Sequence, residues 1–106
     1  MSPVADNLLL FLIEPFRCAV PILLVEEVIR MVAVSRLPSA PEFVEGTINL
    51  RGMVIPVVDL RKRFNCAGHN YETRTRILVV SLYGRSAGLI VDDVLATGGT
   101  AQAAGN

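Results

Sequence analysis

Tryptophan is missing from this 106-residue chain, histidine occurs once, cysteine occurs twice, and ten basic residues cancel ten acidic ones. Each shortage removes a class of function. Without a net charge there is no overall field to hold a polyanion or an acidic membrane surface. Two widely separated cysteines, Cys18 and Cys66, in a chain without an export signal are read as reduced thiols rather than a disulfide. The longest apolar run, "CAVPILLV" from Cys18 to Val25, contains a proline and falls well short of the roughly 20 residues that a bilayer helix needs. No direct membrane insertion is expected. "LLLFLI" at Leu8–Ile13 has the look of a signal core, but the residues before it carry Asp6 and no positive charge, so it is read as a strand.

Reactive constellations are also lacking. Cys66 and His69 form a Cys-x-x-His fragment, yet a structural zinc site takes four ligands and no second pair is present, so neither a metal nor another cofactor is expected. His69 is the lone histidine and stands in no triad-like relation to Asp59 or a serine. Asp92 and Asp93 are neighbours, and on a strand neighbours point to opposite faces, which separates them as an acid–base pair; they are read as the exposed end of a hairpin. The glycines make neither a phosphate loop nor a dinucleotide fingerprint. "RKR" at 61–63 lacks flanking aromatics to stack on bases, Phe64 being assigned to the core, so no nucleic-acid partner is expected and the three cations are read as a solvated face.

What the chain does have is apolar bulk, 52% of residues, dominated by Val, Leu and Ile. Short apolar segments punctuated by Gly, Pro, Ser and Asn predict an all-β domain. The expected strands are 8–13, 17–22, 27–34, 46–50, 53–58, 76–83 and 87–95, with a turn of helix left open within 22–31. "PSAPEF" at 38–43 predicts a loop leading into one helical turn that Gly46 ends. Asp59 is placed to cap a short helix "LRKRF" with Leu60 and Phe64 on one face. Residues 65–73 read as a linker, 76–95 as a hairpin turning at 83–86, and 97–106 as a tail.

Between two runs that ask for burial stands Arg51, at the glycine turn of "INLRGMVIPVVDLRKRF". Gly52 accounts for the turn. The arginine is either a solvated loop charge or a group kept for a partner.

Together with "LLLFLI", "AVPILLVEEVIRM", "RLPSAPEFVEG" and "TRILVVSLYGRSAGLIVDDV", that stretch resembles, in order and from Leu8 to about Leu95, the CheW-like domain family of bacterial chemotaxis. The resemblance implies SH3-like β-barrels and a non-enzymatic, cytoplasmic adaptor. It would join the cytoplasmic tip of a chemoreceptor to the regulatory domain of the histidine kinase CheA. It also implies receptor-contacting positions at Val25, Glu27 and Arg51, and less closely at Val94; read without it, Val25 is a core residue and Glu27 a solvated charge.

The family's domain continues beyond "VDDVLAT", where this sequence runs into "GGTAQAAGN". The expected organisation is therefore a CheW-like domain over 1–96. A complete first barrel would occupy 7–64 and a hairpin of an incomplete second barrel 74–96, followed by a flexible tail at 97–106. Open strand edges of that kind suggest completion by strand exchange in a homodimer. A dimerisation or regulatory module of another sensory or motility array is the alternative function.

Overall fold

The computed structural model describes residues 7–64 and 71–98. Cys66, His69, most of the 65–73 linker and residues 99–106 of the tail lie outside them. Eight strands and one helical turn follow in order: β1 Leu8–Ile13, β2 Phe16–Pro21, β3 Val25–Arg30, β4 Val44–Leu50, β5 Met53–Asp59, α1 Leu60–Arg63, β6 Arg76–Leu82, β7 Arg85–Val91 and β8 Asp93–Gly98. A 3-10 turn at Ile22–Leu24 separates β2 from β3, which is as far as the helical spacing of that segment is realised.

The strands form a five-stranded sheet of order β3-β6-β7-β5-β4 and a three-stranded sheet of order β2-β1-β8. An isolated bridge between Ser35, just past β3, and Thr47 of β4 brings the two edges of the larger sheet together and closes it into a barrel. The smaller sheet holds the N-terminal hairpin with β8 paired antiparallel to β1, Leu8 opposite Gly98.

This division differs from the expected split at residue 64. The hairpin β6–β7 does not stand apart in a second barrel; it forms the middle of the closed one, between β3 and β5. Strand β6 explains why. Its residues Ile77, Leu78, Val79 and Val80 are all buried, so both of its faces need cover. Ile77 and Val79 join Ile48, Ile55, Val57 and Ile90 inside the barrel. Leu78 and Val80 join Leu9, Phe11, Ile13 and Val91 in a second core against the smaller sheet. A strand that serves two cores belongs in the middle of the structure.

Three further expectations give way to tertiary contacts. Gly46 does not end a helical turn; it sits in β4 at a register shift, with φ +147°. The run 87–95 is not one strand but breaks at Asp92, which is buried rather than exposed; its amide donates to the Leu12 carbonyl and its carboxylate accepts from the Glu14 amide at 2.9 Å. The Asp59 cap is present, its carboxylate accepting from the Arg61 amide at 3.0 Å, but Phe64 is about half exposed and Arg61 is buried.

Arg61 is where the two sheets are tied. Its Nε and Nη2 both donate to Asp59 at 2.9 Å, and its Nη1 lies 3.4 Å from Asp92 at the β7–β8 junction. Its guanidinium also lies 5.1 Å from the centre of the Tyr71 ring. The hydrogen bonds to Asp59, foremost, raise the arginine's pKa further. A one-turn helix thus places a fixed cation between two buried carboxylates. Lys62 turns the other way and pairs with the buried Glu45 of β4.

Candidate functional site

The β4–β5 hairpin is joined by two residues, Arg51 and Gly52, with φ of 52° and 85°. Positive φ at both central positions is the geometry whose twist suits a tight hairpin, and it favours Asn-Gly or Gly-Gly because a large side chain is strained there. Asn49 supports the turn by accepting from the Gly52 amide at 2.9 Å. Arg51 takes the first of these two positions and Gly52 the second.

Arg51 reaches across to β3. Its Nη1 lies 2.6 Å from Oε1 of Glu27 and its Nη2 donates to Oε2 at 2.9 Å, a two-pronged fork. The arginine side chain is 70% exposed and the glutamate 26%, so the pair is aligned but open to an incoming group. The hydrogen bond from Arg51 to Glu27, ahead of their Coulomb attraction, raises the arginine's pKa. Beside it, Glu26 accepts from the Ser86 hydroxyl at 2.9 Å.

Of the four positions that the sequence singled out, the structure pairs Glu27 with Arg51 and sets Val25 and Val94 elsewhere. Both valines are half-buried and pack at the margin of the core shared by β1, β6 and β7. Val25 opens β3 opposite Val80, with a register shift before Glu27; Val94 lies opposite Phe11. Among the described residues there is no group of three or more His, Cys, Asp or Glu that could hold a metal, and no helix long and apolar enough to cross a membrane.

A family model described as a CheW-like domain matches residues 7–98. The chain belongs to the CheW-like family. It is 33% identical to the chemotaxis protein CheW of Klebsiella aerogenes over 91 residues, which cover 86% of this chain and 55% of that protein. It is 34% identical to Protein FrzA of Myxococcus xanthus over 85 residues, 80% of this chain and 53% of the relative. The crystal structure of the scaffolding protein TtCheW from Thermoanaerobacter tengcongensis superposes with a TM-score of 0.83 at 39% identity, covering 87% of this chain and 63% of that one. The CheW-like chain therefore spans about half the length of the curated relatives it matches, and its fold is of the SH3-like β-barrel class.

Proposed function

We propose that this CheW-like chain is a non-catalytic chemotaxis adaptor that couples a methyl-accepting chemoreceptor to the histidine kinase CheA on the cytoplasmic side of the membrane. The observation that carries this reading is the exposed Glu27–Arg51 fork, held on a strained turn of a domain whose family is chemotactic. A receptor tip is a helical hairpin, and its surface carboxylates and terminal carbonyls suit the planar donors of arginine. Glu27 keeps the guanidinium in plane until a receptor group competes for it. Val25, two residues before Glu27, would add an apolar contact, and Val94, set apart on β8 opposite Phe11, would meet the receptor away from that pair. CheA would be engaged through its regulatory domain.

Arg51→Ala is expected to weaken binding of a purified receptor-tip fragment at least fivefold while leaving the denaturation midpoint nearly unchanged, since an exposed ion pair adds little to stability. Unchanged receptor affinity in a surface-binding assay would remove Arg51 from the site.

The smaller sheet has a second role in this reading. Leu8, Leu10 and Leu12 alternate with the buried face of β1 and remain half-exposed, and among the described residues β2 and β8 pair with no further strand. A second copy of the chain, exchanging or sharing strands, is the partner we assign to those edges. Light scattering after size exclusion should give a dimer at micromolar concentration; a stable monomer would exclude this assembly.

A further inference from the structure

A second surface lies where β5 and β7 part. Their parallel pairing covers only Val57–Asp59 against Gly88–Ile90. Towards the hairpin turns the two strands diverge around a cleft of about 350 Å³ lined by Met53, Val54, Ile55, Pro56, Gly84, Arg85 and Ser86.

The chemistry of the cleft is set by register. The closing pairs of the two hairpins are Leu50–Met53 and Leu82–Arg85. In a two-residue hairpin the closing pair exchanges backbone hydrogen bonds, and the pairs alternate from there. Val54 on β5 and Ser86 on β7 are each one step further on, so their backbone N–H and C=O groups point away from their hairpin partners and into the gap. Among the described residues no strand pairing takes them up. Met53 and Val54 are more than 60% exposed beside this unpaired backbone. Arg85 stands exposed at the rim and has no ion pair among the described residues.

The neighbouring turn adds an independent sign. Tyr83 occupies the first position of the β6–β7 turn at φ 52°, followed by Gly84 at φ 76°, and its side chain is fully exposed. Held in a left-handed conformation that costs about 1–3 kcal/mol for a residue other than glycine, the ring covers no apolar core of its own. Leu82 next to it is also exposed.

We propose that this cleft docks an extended segment of a partner protein that presents a large apolar side chain two residues from a carboxylate. The apolar side chain enters between Val54 and Gly84, the carboxylate meets Arg85, and the segment's backbone pairs with the outward-facing groups of Val54 and Ser86 in the manner of an added strand. The surface is carried by the same hairpin as Arg51 but does not depend on the receptor reading of the Glu27–Arg51 pair.

The test uses the full chain and a fluorescein-labelled decapeptide of alternating valine and threonine, with one phenylalanine followed two residues later by one glutamate. A second peptide carries lysine in place of the glutamate. Amide chemical shifts should move at Val54 and at Gly84 to Ser86, and anisotropy should give at least tenfold tighter binding of the glutamate peptide. Arg85→Glu should reverse that preference, and Val54→Glu should abolish binding by both peptides, each variant keeping the parent far-UV circular dichroism. Absent shifts at millimolar peptide, shifts centred on Glu27 and Arg51, or equal affinity for both peptides would overturn the proposal. So would a dimer that Val54→Glu converts to monomer, since the occupant would then be a second copy of the chain.

Discussion

Replacing Arg61 with alanine is expected to destabilise the protein by about 3–5 kcal/mol, enough to remove much of a typical domain's stability. Asp59 and Asp92 would be left as buried carboxylates without their shared cation, and loss of the ion pairs matters less than the unpaired charges left behind. A double replacement, Asp59→Leu with Arg61→Met, removes both members of the tightest pair and is expected to recover much of that loss. Urea denaturation of the three proteins decides the matter. If Arg61→Ala unfolds at the parent midpoint, the network is not what ties the two sheets.

Gly46→Ala carries the second large effect. A Cβ built on Gly46 falls 1.8 Å from the Ser35 carbonyl oxygen, 2.6 Å from its carbon and 2.9 Å from the Arg36 Cα, all backbone atoms that cannot rotate aside. The same Ser35 carbonyl accepts from the Thr47 amide at 2.8 Å, and the Ser35 amide donates to the Thr47 carbonyl at 2.8 Å. Forcing these strands apart breaks the bridge that closes the barrel. Strain of about 1–3 kcal/mol and two hydrogen bonds at roughly 1 kcal/mol each make an expected loss of about 3–5 kcal/mol. Amide exchange should report it locally, with Ser35 and Thr47 losing protection first. Unaltered protection at both amides would show that the closure tolerates the methyl group.

Local patterns were easiest to read from the sequence. β1 has the expected limits, Leu8–Ile13, because an unbroken apolar run between Asn7 and Glu14-Pro15 defines it within six residues. The Asp59 cap is present as expected, since it depends only on the helical turn that follows it. Two of the failures involve partners far along the chain. "RKR" reads as a solvated helix face because nothing within one turn shows that Asp92, 31 positions later, will meet Arg61. The aspartate pair reads as a hairpin end because the Glu14 amide that holds Asp92 is 78 positions away. A signal was nonetheless available: two adjacent charges within an apolar run call for a break, and the break is where β7 gives way to β8.

The candidate site divides in the same way. Arg51 stands out in the sequence as a charge on a glycine turn and Glu27 as a receptor-contacting position, but only the folded barrel brings β3 and the β4–β5 turn together. The β5–β7 cleft leaves only an indirect mark in the sequence. Its sequence sign is the repeated bulky-residue–glycine pair, Arg51-Gly52 and Tyr83-Gly84, each closing a two-residue hairpin. The gap itself depends on where parallel pairing stops, which no local pattern encodes.

The pairing of β1 with β8 has a consequence for the chain as it is made. Leu8 meets Gly98, roughly ninety residues later. At a synthesis rate of about 5–20 residues per second, one edge of the leucine-rich β1 waits about 5–18 seconds before its neighbour exists. Strand β2 follows at once and covers the other edge. Strand β1 is thus made well before its β8 neighbour, and the nascent chain carries one open edge of this leucine-rich strand throughout that interval.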